Sequence, residues 1–166
     1  MHWFELFAID QTDAMMTSEA TRDGDWELAR LADELADMVL ARTLPKPRWT
    51  HEAHLLTCAS LVRRHGDVGA LRILREAIPR YNEATGVANT STSGYHDTLT
   101  VFYVWAVNQL LSRGTTTTHI LRDPSTDRQA ALVWWDREAL FSSDARAHWL
   151  QPTLAGDGSA GPAETC

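Results

Sequence analysis

The chain has 166 residues, of which 44% are hydrophobic and 22% charged, and its formal net charge is -7. That length suits one domain with a single core, and no apolar run approaches the roughly 20 residues that a membrane helix needs. The acidic balance, with arginines scattered among acids and Lys46 the only lysine, argues against a nucleic-acid partner, because phosphate backbones favour a clustered basic surface.

The N-terminal stretch carries an apolar patch, Trp3, Phe4, Leu6, Phe7 and Ile9, whose alternation is too brief to choose between a short strand and a docking arm. Glu5 and Asp10 sit beside it and no basic region precedes it, which argues against a signal peptide. Cys58 falls on a helix face read as buried and Cys166 ends a loose tail, so a disulfide is not expected and a reducing cytoplasm fits.

The first helix is predicted to begin near Asp25 as N-cap, with Leu28, Leu31, Leu35, Met38 and Val39 at three- and four-residue steps. It should stop at Leu44-Pro45-Lys46-Pro47, where proline removes the amide donor. Thr50 caps a second helix to about His65, with Gly66 as the exit. Asp67 starts a third helix to about Thr85-Gly86, kinked at Pro79. After a polar loop over residues 87–94, a fourth helix runs from about His96 to Arg113, closed by Gly114. The threonine run 115–118 suits a loop or extended piece better than helix. Asp127 is read as the cap of a short fifth helix through Trp135, in which adjacent Trp134 and Trp135 cannot face the same way, and a turn or two follow to Leu150. The fold class is therefore all-α, a single-domain helical bundle of four principal helices plus short C-terminal helices over residues 1–154, with 155–166 a disordered tail.

Function should lie where these helices meet. In an antiparallel arrangement the second and fourth helices start at the end where the third finishes. That end collects His51 and His54, which share the face of Cys58, Leu61 and Val62, together with His96, Tyr95, Tyr81, Asn82 and the Trp49 ring. His51, His54 and His96 could supply three imidazoles to a divalent transition metal, whether zinc, iron, copper or nickel, with one position left open. Tyr81, Tyr95 and Asp97 are the candidate catalytic groups, although the helical phase turns Asp97 and Glu52 toward the rim. Trp49, Asn82 and Tyr103 are the candidate substrate contacts.

No H-E-x-x-H or CxxC pattern is present, so three readings stay open. The first is a small cytoplasmic enzyme acting on a small organic molecule with help from a metal. The second keeps the same pocket without a metal, as an acid/base enzyme or a non-enzymatic small-molecule-binding protein, with helix N-termini favouring an anionic or carbonyl group. The third is a structural polar network in which the histidines satisfy helix-end and loop groups. His2, His65, His119 and His148 do not converge with the others and should be exposed, and Cys58 is most simply a core residue. Nothing in the pattern sets the oligomeric state.

The combination of Thr50-His51-x-x-His54, Arg80-Tyr81-Asn82 and Gly94-Tyr95-His96-Asp97-Thr98-x-Thr100 resembles a group of small bacterial all-helical proteins that carry no assigned activity. The likeness covers about residues 48–113, and Leu140-Phe141-Ser142 onward to Pro152 is similar to the closing segment of that group. It implies an all-helical fold with these helix boundaries, and no substrate or reaction.

Overall fold

A computed structural model describes residues 11–156, 158 and 161–163, with side chains from Gly24 onward. The apolar patch from Trp3 to Ile9 lies outside the described residues. The protein is all-α, and no strand occurs among the described residues. Three long helices, α1 (Gln11–Leu40), α2 (His51–Ala84) and α3 (Asp97–Ser112), carry the fold, where four principal helices were expected. Short helices α4 (Thr117–Ile120), α5 (Arg137–Leu140) and α6 (Ser143–Ala147) follow, with 3-10 turns at Lys46–Arg48, Pro124–Thr126 and Ala130–Val133.

Helix α1 starts well before Asp25. The expectation failed because Gly24 inside a helix costs only about 1 kcal/mol and does not force a stop. Asp25 does act as a cap, but for another helix: its carboxylate accepts the backbone N–H of Thr118 in the first turn of α4 at 3.0 Å. With Thr116 capping His119 N, that explains why the threonine run, expected as loop, turns helical. The buried face of α1, Ala32, Leu35, Ala36 and Val39, packs on α2. Asp33 accepts from Ser60 at 2.6 Å, and Arg64 pairs with Asp33 and Asp37. The helix ends at Leu40, ahead of the prolines, through Arg42 at φ 60 and a Thr43 N–H bonded to Met38 O.

Helix α2 joins the predicted second and third helices across Gly66, whose φ 69 and ψ 176 lie in a region open essentially to glycine alone. A straight helix would separate His51 from Tyr81 by about 45 Å at roughly 1.5 Å per residue. Yet the Trp49 and Tyr81 rings are 5.3 Å apart, so the chain reverses at Gly66 and the two arms of α2 lie side by side. Thr50 caps the first arm as expected, accepting from Ala53 N. Helix α3 follows its predicted span closely. It buries Val101, Phe102, Val104, Ala106, Val107 and Leu110, a set too wide for one face, because α2 covers one side and the C-terminal turns cover the other.

Trp134 and Trp135 are both buried against different partners, Trp134 on Trp105 and Trp135 on Phe102 and Trp149. They follow a 3-10 turn, where a short helix from Asp127 through Trp135 was expected. Trp135 Nε1 donates to Leu150 O and Gln151 O. In the tail, a Cβ added at Gly156 or Gly161 would collide with the Trp134 ring, so these two glycines lie flat against it.

Candidate functional site

The two arms of α2, the start of α3 and the turn at Lys46–Arg48 enclose a cavity of about 490 Å³. Its inner wall is apolar, from Cys58, Leu74, Ile78, Leu99 and Val104, and Trp49, Tyr81, Tyr95 and Tyr103 add aromatic surface. All three expected histidines line it, as does Asn82. Asp97 and Glu52 do not.

His96 is 7% exposed and is the N-cap of α3. Its Nδ1 accepts from Leu99 N at 3.3 Å and its Nε2 lies 2.9 Å from Leu140 O. A carbonyl only accepts, so Nε2 carries the proton and both ring nitrogens are committed. Burial pushes its pKa down to about 4, with Arg146 adding to the fall and Leu140 O and Asp97 opposing it. His51 places Nε2 2.8 Å from Thr126 O, which leaves Nδ1 as its remaining acceptor, and its ring stands edge-on to Tyr103 at 5.2 Å.

His54 differs from both. Its ring makes no hydrogen bond among the described residues and meets the Trp49 ring edge-to-face at 3.8 Å. His54 is exposed overall, although the protein packed around its ring desolvates it. That desolvation, followed by the nearby His51 and Arg128, pushes its pKa down to about 4, with Glu52 opposing. At neutral pH it is an uncharged imidazole with one N–H and one lone pair to offer.

The expected three-histidine metal set is not assembled. His96 has no nitrogen left for a metal, and no group of three or more His, Cys, Asp or Glu side chains among the described residues is arranged to hold one. The residues present therefore do not fit zinc, iron, copper or nickel as a shared ligand set, and no step is derived through such an ion.

The expected catalytic groups are also tied down. Tyr81 is fully buried and donates to Leu44 O at 3.0 Å, so it turns its ring and not its hydroxyl to the cavity. Tyr95 donates to Asp97 Oδ1 at 2.7 Å, and Arg75 holds both Asp97 oxygens at 2.9 and 2.8 Å. Burial opposes the Asp97 carboxylate, but the Arg75 and Tyr95 hydrogen bonds outweigh it and keep its pKa below the usual carboxylate range. Asp97 opens instead on a separate recess with His148 and Trp149.

No protein-family model, curated protein or solved structure matches this chain.

Of the expected substrate contacts, Trp49 and Tyr103 form walls. Tyr103 spends its hydroxyl on Asp127 O at 2.9 Å, and burial, with the Asp127 charge, pushes its pKa up to about 12. Asn82 donates to Asn89 Oδ1, and Asn89 in turn donates to Pro79 O, which ties the loop before α3 to the proline-containing arm of α2. Gly94, at φ 77, passes so close to Ala88 O and Asn89 that a side chain would not fit. Cys58 lies in the wall, and burial lifts its pKa to about 12, so it is an inert thiol. Sequence reasoning missed two cations in the lining, Lys46 and Arg128. Lys46 stands out only as the single lysine of the chain, and Arg128 carries no local signal. His65, His119 and His148 are exposed as expected, and His2 lies outside the described residues.

Proposed function

We propose that the chain binds a small, largely apolar organic molecule in the 490 Å³ cavity and fixes one polar atom of it through the His54 imidazole. The observation that carries this reading is His54 itself: an imidazole without a protein partner, held against Trp49 and open to an apolar cavity within the size range of small-molecule sites. The ring lines the cavity with an uncommitted N–H and lone pair, and a ligand carbonyl or hydroxyl can pair with either.

Metal-free proton transfer is the second reading, favoured by His51 standing one turn before His54. An imidazole that ionises only near pH 4 is a weak base at neutral pH and suits hydrogen-bond donation to a carbonyl better than proton abstraction. In this reading the two arms of α2 count as separate members of a four-helix bundle with α1 and α3, its open end being the cavity, in a cytoplasmic protein. No helix among the described residues is long and apolar enough to cross a membrane.

The test is a titration of small aliphatic and aromatic carbonyl compounds, followed by the ring resonances of histidine and tryptophan. Binders should shift His54 and Trp49, raise the melting temperature, and lose affinity when Ile78→Trp fills the cavity. Binding that shifts neither ring and survives Ile78→Trp would place the ligand elsewhere and sink the proposal.

A further inference from the structure

The lining of this cavity has a sign. Acids outnumber basic residues 22 to 15 in the chain, yet among the described residues no aspartate or glutamate lines the cavity, whereas Lys46 and Arg128 both do. From this we infer that the ligand is an amphipathic monoanion, with a carboxylate held at the mouth by Lys46 and Arg128 and an apolar body against Cys58, Leu74, Ile78, Leu99 and Val104. The inference rests on the reading of the cavity as a small-molecule site and adds the ligand's charge and direction.

The backbone that carries Lys46 is held in place, and its side chain is exposed. Lys46 opens a 3-10 turn between Pro45 and Pro47, closed by Trp49 N–H to its own carbonyl at 3.0 Å. Leu44, two residues before that turn, is anchored by the Tyr81 hydroxyl on its carbonyl. The Lys46 ammonium makes no ion pair among the described residues. Arg128 is only loosely compensated, since Glu52 stands 3.5 Å away and both side chains are more than half exposed, a geometry worth little in water. Its positive charge also reaches His54, where it disfavours protonation.

Counting Glu52 against Arg128, the mouth carries close to one unit of uncompensated positive charge, which matches a singly charged headgroup better than a phosphate dianion. Deeper in, an anion would meet mainly apolar side chains, polar groups largely committed to the fold and the neutral His54 imidazole, and burying it there would be costly. The charge therefore stays at the mouth, and His54 is left to donate to a carboxylate oxygen or to a second polar atom nearby.

Octanoate and octanamide, equal in length and differing in charge, separate the possibilities on the full chain by calorimetric titration. Octanoate should bind more tightly than octanamide and weaken as ionic strength rises. Lys46→Gln should reduce octanoate affinity by about fivefold, as expected for one partly exposed charge contact, and leave octanamide unchanged. Arg128→Gln should act in the same direction, and Ile78→Trp should remove both probes. If both probes bind alike and Lys46→Gln alters neither, the charge inference is overturned while the small-molecule reading stands. Octanoate binding that survives Ile78→Trp but falls with Lys46→Gln would mark a surface anion contact and overturn it as well. If neither probe binds, both the inference and the reading beneath it fail.

Discussion

His54 and His96 are both pushed down to a pKa of about 4, mainly by burial, yet they do opposite things. His96 spends both nitrogens on the fold, whereas His54 spends neither. In each case the unfolded chain takes up a proton near pH 6.5 and the folded protein does not, so stability is full above that pH and falls as pH drops from about 6.5 to 4. Of the lowered carboxylates, Asp33, Asp97, Asp123 and Asp136 act only below their ordinary value of 3.8, outside this window, and Glu52, ordinarily at 4.5, enters only at its acid end. For the buried His96 the penalty is of the order of 3 kcal/mol once the window is crossed. Urea unfolding at pH 7.5 and about 4.5 should show the loss. His96→Asn keeps a good N-cap but cannot titrate, and it should flatten the slope; an unchanged slope would mean that His96 is not the group responsible. That the three histidines gather at one cavity was legible in helical spacing, although only His96 is buried. Their bonding was not, because Thr126 and Leu140 reach them from segments with no periodic signal.

At the scale of elements, the chain reversal in α2 depends on a single backbone conformation. No atom lies within 4 Å of a Cβ added at Gly66, so Gly66→Ala is a test of backbone strain alone. It should cost about 1 to 3 kcal/mol in chemical denaturation; a neutral result would show that the reversal tolerates another geometry. Leu110, 4% exposed near the far end of α3, gives the complementary test. Leu110→Ala should cost about 2 to 5 kcal/mol while leaving ligand affinity in the folded protein unchanged, which separates core from site. The start of α2, the break between its arms and the end of α3 were readable because Thr50, Gly66 and Gly114 are strong local signals. The start of α1 was not, since Asp25 looks the same in sequence whether it caps its own helix or the backbone of α4. The helix expected from Asp127 through Trp135 failed for a related reason: a 3-10 turn and an α-helix share composition.

For the molecule as a whole, the C-terminal third acts as a roof. Thr98 donates to His148 O and accepts from Leu150 N, His96 reaches Leu140, and Gly156 and Gly161 lie over Trp134. Removing residues from 155 onward should therefore uncover that indole. Its fluorescence should shift to the red, at a stability cost on the order of 1 kcal/mol; an unchanged spectrum would show that the tail does not cover Trp134.

The Thr126 and Leu140 carbonyls that hold His51 and His96 lie 75 and 44 residues away along the chain, whereas the arms of α2 meet through one tight turn. Native-state hydrogen exchange should accordingly resolve at least two cooperative units: an α-helical hairpin that opens only with global unfolding, and a C-terminal segment that detaches at lower free energy. A ligand in the cavity binds only the docked form and must slow amide exchange in residues 126 to 150, although most of those residues never touch it. The C-terminal segment then serves as a gauge of occupancy, its exchange rate falling as the cavity fills.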